Sequence, residues 1–279
     1  MSDNIVDRVM EGLSKKEGAK DYLSESFSAV SMSSAVDLLK RGEHLLFPDI
    51  FPHPFIKDIP LRNGIEELLL LLEKTLSDIF SISEKERVKN AKKTAEEIML
   101  LLPGVKELLI KDAISIYEGD PAATSITEVM LAYPGFFAVM IYRIAHIFYL
   151  YKIPYLPRMM TEHAHERTGI DIHPGATIGE SFCIDHGTGV VIGETARIGN
   201  RVKIYQGVTI GAKSFEADGN GKIIKGKKRH PDIGDDCIIY AGATILGGDT
   251  VIGKGSIIGG NVWLTHSVSD GGRVYYKEK

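Results

Sequence analysis

From Ile172 onward an aliphatic residue recurs at every sixth position, commonly followed by glycine. The series runs Ile172, Ile178-Gly179, Ile184, Ile192-Gly193, Ile198-Gly199, Ile204 and Ile210-Gly211, then resumes as Ile233-Gly234, Ile239 and Ile245. This is the pattern of short strands joined by corners, with glycine where the corner needs unusual dihedrals. The aliphatic side chains then stack inward and fill a narrow prism. No coil buries its own face, so stability comes from neighbours stacked along one axis. Two irregularities stand out. Eight positions separate Ile184 from Ile192, so a corner carries extra residues just after Asp185-His186. Between Gly211 and Ile233 a polar stretch replaces the repeat, and such excursions from a rigid scaffold commonly carry function. After Ile245 two registers are open: Val251 and Ile257 keep strict sixes, whereas Ile252-Gly253 and Ile258-Gly259 keep the aliphatic-Gly pair.

The first part of the chain has a different period. Ile65 to Phe80 holds a strong apolar run, and Glu84 to Leu102 places Ala91, Ala95, Ile98 and Met99 at helical spacing. Pro103-Gly104 is expected to end that helix, and Val105 to Tyr117 forms a further candidate. Gly119-Asp120-Pro121 breaks it, with Asp120 a potential cap for a helix opened by Pro121. Four prolines between 48 and 60 predict an irregular connector. Near residue 168 glycine and β-branched residues take over. The expected class is α+β, with a helical N-terminal domain over 1–165 and a parallel β-helix over 166–279 carrying an excursion loop at 212–232.

Composition narrows the picture. The chain has 279 residues, with 33 Lys plus Arg against 37 Asp plus Glu, a net charge of −4. That balance gives no footprint for nucleic acid. Two cysteines, Cys183 and Cys237, make no disulfide framework and fit a reducing cytoplasm. Met1 to Lys20 is polar and mixed in charge, unlike a signal peptide. The apolar stretch from Gly135 to Leu156 contains Arg143, His146 and Lys152, which argues for a buried helix rather than a membrane span.

The polar residues of interest gather at the irregularities. Asp171 and His173 open the first coil, Asp185-His186 precedes the enlarged corner, and Arg229-His230-Pro231 closes the long loop. Asp171 and His186 are fifteen apart, close enough to meet if the corners are tight. A carboxylate beside an imidazole fixes its tautomer and stabilises the imidazolium, which a general base near neutral pH requires. Arg229 offers a fork of donors to a carboxylate. His173, before Pro174, reads as structural, and Arg143 and His146 as packing residues. Lys222, Lys225, Lys227 and Lys228 form a basic run that is either a solvated loop or an attractor of phosphates.

Several segments, in order, resemble the serine O-acetyltransferases of cysteine biosynthesis. They are Asp120-Pro121-Ala122, Tyr142-Arg143-Ile144-Ala145-His146, Asp171-Ile172-His173-Pro174-Gly175-Ala176, Ile184-Asp185-His186-Gly187-Thr188-Gly189, Val191-Ile192-Gly193-Glu194-Thr195-Ala196 and Arg229-His230-Pro231. The resemblance implies a left-handed β-helix, a homotrimer or a dimer of trimers joined by the helical leaders, and active sites between adjacent subunits. It implies acetyl-CoA as co-substrate, L-serine as acceptor and no metal. His186 would be the general base and Asp171 its orienting carboxylate. Asp120 and Asp185 would bind the serine ammonium, and Arg229 and His230 its carboxylate. Acetyl-CoA would lie near Gly211, Ala212 and Ala241. Many relatives carry a longer tail ending in Ile that docks into cysteine synthase. This chain stops at Lys279 after Arg273-Val274-Tyr275-Tyr276, so that partnership is not expected, and the Gly-x-Pro-Ala-basic segment common after the last coil is also missing.

Three other readings compete. Another acyltransferase of this repeat would act on a sugar hydroxyl or an amine, but Arg229 as a carboxylate reader argues against it. A zinc β-helix resembling the γ-type carbonic anhydrases needs three converging histidines; His186 and His230 supply two, and no five-residue-spaced His pair lies within the coils. A purely structural β-helix would need no polar excursion. An acyl-cysteine route is disfavoured because neither cysteine has an evident base.

Overall fold

The computed structural model describes residues 30–55, 57–82, 90–214, 217–219, 221–222 and 224–276, with isolated positions at 5, 9 and 10. Six helices with defined bounds precede the strands among the described residues: α1 (Met32–Leu46), α2 (Leu61–Ile82), α3 (Ala91–Gly119), α4 (Ile126–Ala132), α5 (Pro134–Leu150) and α6 (Leu156–Thr168). Their starts follow local chemistry. Ser31, Asn90 and Ser125 each accept a hydrogen bond from the backbone N–H three residues on, satisfying a donor the helix leaves free. Gly169, at φ +69°, closes α6 in the left-handed conformation that glycine adopts without strain.

Two helical expectations need correction. Pro103 does not end a helix but lies inside α3, which runs unbroken to Gly119. An internal proline costs about 3 kcal/mol. Beyond it, α3 buries Val105, Leu109 and Ile116, each contributing about 1.5–3 kcal/mol, so burial carries the helix through. Nor does Pro121 open a helix. Asp120 Oδ1 accepts the Ala122 N–H at 2.8 Å and closes a turn, and α4 starts five residues later, capped by Ser125. The first part of Glu84–Leu102 falls partly outside the described residues.

Among the described residues no single helix is long and apolar enough to cross a membrane. Helix α5 is almost wholly buried, packed by α3 and α6. Its Arg143 and Asp112 of α3 form a buried ion pair, and Arg143 also donates to the carbonyls of Ile178 (3.3 Å) and Gly179 (2.7 Å). Tyr142 donates to Ala176 O at 2.6 Å, and His146 Nδ1 pairs with Pro174 O at 2.7 Å. Tyr142, Arg143 and His146 thus fasten the helical layer to the first coil, as the packing reading anticipates.

The remainder is a parallel β-solenoid with three faces. One sheet has the order β1-β4-β7-β10-β13 (Asp171–Ile172, Val191–Ile192, Thr209–Gly211, Thr244–Leu246, Trp263–Leu264). The second is β11-β8-β5-β2 (Val251–Ile252, Asp232–Ile233, Arg197–Ile198, Thr177–Ile178), and the third is β14-β12-β9-β6-β3 (Arg273–Val274, Ile257–Ile258, Ile238–Ile239, Lys203–Tyr205, Cys183–Asp185). Every pairing is parallel. The inward residue of each strand lies over its counterpart: Ile172 on Ile192, Ile192 on Ile210, Ile210 on Ile245. Their step records each irregularity. Val191 pairs with Thr209, eighteen residues on, whereas Asp171 pairs with Val191, twenty on, the difference being the enlarged corner after His186. Thr209 pairs with Thr244, thirty-five on, across the excursion loop. The open register after Ile245 resolves in favour of the aliphatic-Gly pair: Ile252 is fully buried while Val251 is 47% exposed. The added residue sits at Gly247-Gly248, where a side chain on Gly248 would meet Lys228 O at 2.7 Å.

Candidate active site

His186 follows strand β3 directly, at the corner between the third and first faces. Its φ is +57°, a left-handed conformation uncommon for a residue with a side chain. Such strain persists where surrounding structure enforces it, and it clusters at functional sites. The next residue, Gly187, is also at positive φ (+97°) and is packed so closely that a β-carbon there would lie 2.4 Å from Ile170 Cδ1. The extra residues push the imidazole outward, leaving its side chain 75% exposed. Nε2 lies 3.8 Å from Asp185 Oδ1.

A cavity of about 420 Å³ opens beside the ring, lined by Asp120, Tyr133, Gly135, Asp185, His186 and Thr188 among others. Two elements build it. The turn after α3 brings Asp120, and the start of α5 presses so closely that a β-carbon on Gly135 would meet Ile184 O at 2.3 Å. Tyr133 donates to Asp120 Oδ2 at 2.7 Å. This hydrogen bond, with that from Ala122, holds the Asp120 carboxyl below its usual range and pushes the Tyr133 phenol up to about 12. Asp120 is therefore a carboxylate and Tyr133 a proton donor across physiological pH. The cavity gathers two carboxylates and one imidazole, a set suited to a cationic amine next to a proton acceptor.

Asp171 lies at the same corner, since its N–H donates to Val190 O at the end of the turn that His186 begins. No hydrogen bond or ion pair joins Asp171 to His186 within the chain. Its carboxylate pairs with Arg158 at 3.2 Å. Glu162, His165 and Asp171 converge closely enough to suggest a metal site, yet Arg158 sits among them and pairs with both carboxylates.

Arg229 and His230 lie at the next corner, on the other edge of the first face. Thr195, thirty-five residues earlier, organises them. Its Oγ1 accepts the backbone N–H groups of Arg229 (3.0 Å) and His230 (3.1 Å) and lies 2.8 Å from His230 Nδ1. The Thr195 N–H also donates to Nδ1, at 3.1 Å. Nδ1 is thus the acceptor, and the ring proton resides on Nε2. Burial, with Arg229 and Lys228 nearby, pulls the His230 pKa down to about 4, so the ring is neutral. It packs against Gly193, where a β-carbon would lie 2.1 Å from it. Arg229 pairs with Glu194 at 2.6 Å, and Tyr149 donates to the other Glu194 oxygen at 2.9 Å. Burial alone would raise Glu194, but these two hydrogen bonds outweigh it and keep it ionised. His173, buried enough to lower its pKa, accepts the Gly175 N–H at 3.0 Å and acts as a corner brace.

The excursion loop adds a second cavity, of about 530 Å³, lined by Lys213, Lys227, Lys228, Arg229, Gly247 and Gly248 among others. Gly211 and Ala212 lead into it at the end of β7. Ala241 lies instead on the His186 corner, two coils further along, where its carbonyl accepts the Asn261 N–H. Burial pushes the Cys183 thiol up to about 12 and also raises Cys237, so neither supplies a thiolate near neutral pH.

Sequence reasoning did not assign roles to Thr195, Tyr133 or Lys203. The first lies inside a motif that is visible in the sequence, but its partner is thirty-five residues away. Tyr133 and Lys203 gave no signal beyond their types.

A three-faced parallel solenoid with an imidazole at an enlarged corner and a long basic loop defines the class of hexapeptide-repeat acyltransferases. No protein-family model matches the chain. Individual proteins do. A plasmid-borne serine acetyltransferase of Synechococcus elongatus is 56% identical over 264 residues, covering 89% of this chain and 82% of that protein. A crystal structure of serine acetyltransferase 1 from Entamoeba histolytica in complex with L-cysteine superposes with a TM-score of 0.75 at 36% identity, covering 88% of this chain and 97% of the other. Neisseria gonorrhoeae serine acetyltransferase in complex with serine gives a TM-score of 0.57 at 26% identity, over 89% and 96%. The chain belongs to the serine acetyltransferase family and is an acetyl-CoA-dependent acyltransferase.

Proposed function

We propose that His186 is the general base in direct transfer of an acetyl group from acetyl-CoA to the hydroxyl of L-serine. The observation that carries this reading is the cavity in which Asp120, Asp185 and His186 converge. Asp120 and Asp185 receive the serine ammonium. His186 takes the hydroxyl proton as the oxygen attacks the thioester carbon, and the CoA thiolate leaves. Proton removal of this kind contributes about 10²–10⁴-fold, and holding the two substrates together contributes about 7–11 kcal/mol. Asp171, at the same corner, is the carboxylate assigned to orient the imidazole.

The serine carboxylate calls for a fork of donors beside the two carboxylates, and neither an arginine nor a lysine lines this cavity. Arg229 and the Nε2–H of His230 are such donors, but they lie at the other edge of the first face. A threefold arrangement would bring the His186 corner of one protomer against the Arg229 corner of the next, and Ala241 against Gly211 and Ala212. The site is therefore shared between subunits of a homotrimer, two of which pair through the helical leaders. The basic loop cavity receives the CoA phosphates, with Lys213 and Lys227 toward them. L-Cysteine, with a thiol in place of the hydroxyl, fits the same pocket and competes with serine. The reaction needs no metal, and the polar, reducing environment it suits is the cytoplasm.

Thiol release from acetyl-CoA tests this with L-serine, L-homoserine and a galactoside as acceptors. Release should depend on L-serine and fall about 10²-fold or more in His186→Ala with the fold intact. Equal release with the galactoside, or an undiminished His186→Ala enzyme, would sink the reading.

A further inference from the structure

We propose that Lys203 is a positioning residue for the acceptor pocket, clamping its two carboxylate-bearing elements together; this rests on the assignment of Asp120 and Asp185 to the serine ammonium. Lys203 lies on β6, one coil beyond Asp185, where Cys183 pairs with Lys203 and Asp185 with Tyr205. Its side chain turns back across the coil. Nζ is 2.9 Å from Asp185 Oδ2 and donates to Gly119 O at 2.7 Å. Gly119 is the last residue of α3 and precedes Asp120. One ammonium therefore ties the helix that delivers Asp120 to the strand that delivers Asp185, two elements far apart in the chain.

The surroundings hold the lysine in that pose. Its ammonium lies 4.6 Å from the centre of the Tyr205 ring, within range of a cation–π attraction. Tyr205 stacks on Tyr240 of the following coil, centroids 5.2 Å apart and planes 11° from parallel. The stem lies under Gly119, where a β-carbon would come within 3.5 Å of both Nζ and Cys183 Sγ. The side chain is 18% exposed. Burial opposes its charge, but Asp185 and Tyr205 outweigh burial and raise the Lys203 pKa.

The clamp divides the Asp185 carboxylate. Oδ2 faces Lys203, and Oδ1 faces His186 and the cavity. Without the lysine, Asp120 and Asp185 repel each other across the pocket and the helix end loses its tether.

Lys203→Met keeps the aliphatic stem and removes the charge, so packing under Gly119 is retained. The KM for L-serine should rise about 10-fold or more, the scale of a lost charge-assisted hydrogen bond, while the KM for acetyl-CoA stays within about twofold. Lys203→Arg should restore the serine KM. A Lys203→Met enzyme with an unchanged serine KM overturns the proposal, as does one in which both KM values rise together with a lower Tm. Asp185→Asn separates the two levels. If it raises the serine KM while Lys203→Met does not, only the lysine's role fails; if it too leaves the serine KM unchanged, the ammonium site and the clamp fail together.

Discussion

Thr195 shows how much one hydroxyl can organise. It accepts two backbone N–H groups from the end of the excursion loop, so the backbone at Arg229 and His230 depends on a single atom, and it donates to a buried imidazole nitrogen whose tautomer the Thr195 N–H also fixes. Thr195→Val leaves those groups without their partner, and each unmet buried group costs about 1–3 kcal/mol. Steady-state kinetics should show a serine KM raised about 10-fold, with the acetyl-CoA KM little changed, because the loss falls on the proposed carboxylate readers. At this scale the sequence was informative where chemistry coincides with a break in the repeat. Asp185-His186 stands at the extra corner residues and Arg229-His230 at the loop's return, so both were visible. Thr195 and Lys203 lie inside regular coils and Tyr133 at the junction of α4 and α5, and only the fold brings His230, Gly119 and Asp120 to them.

Among elements, the docking of α5 on the first coil decides whether the acceptor pocket exists. The contact is backbone against backbone, since Gly135 meets the Ile184 carbonyl with no room for a methyl group. Gly135→Ala must therefore shift the helix start or the strand. Overpacking of this kind costs about 1–3 kcal/mol. The variant should unfold at lower urea and bind serine more weakly, as read from the denaturation midpoint together with the serine KM. A normal serine KM in a destabilised variant would mean that the pocket does not depend on this contact. The period of six made the solenoid legible because each inward aliphatic residue repeats the same burial. The helix ends were less legible. Proline 103 is a strong local signal against a helix, yet packing further along α3 outweighs it, and nothing in the local sequence reports that packing. The late register was ambiguous for a similar reason: the extra residue is accommodated at Gly247-Gly248, beneath the loop's return at Lys228 and Arg229.

For the whole molecule, the decisive fact is that the proposed ammonium and carboxylate readers occupy different edges of one face. A site assembled from both edges requires a second copy of the chain. Complementation tests this directly. His186→Ala and Arg229→Ala homomers should each be nearly inactive, and mixed trimers reassembled from the two should regain activity, because some interfaces then pair an intact His186 with an intact Arg229. Thiol release measured before and after subunit exchange reads the outcome, and no gain on mixing would place the whole site within one protomer.

The excursion loop leaves the solenoid after Gly211 and rejoins it at Asp232 with the strand ladder in unbroken alignment: Arg197 pairs with Asp232 as Thr177 does with Arg197. Before its return at Lys228, Arg229 and His230, which is bonded to the coils, the length of the detour leaves the ladder above and below unchanged. Closing a longer detour adds only about 0.6 kcal/mol per doubling of its length. Insertions, deletions and changes of composition can accumulate there without renegotiating the stacked isoleucines, which leaves this part of the chain free to diversify what the surface admits while the scaffold beneath stays fixed.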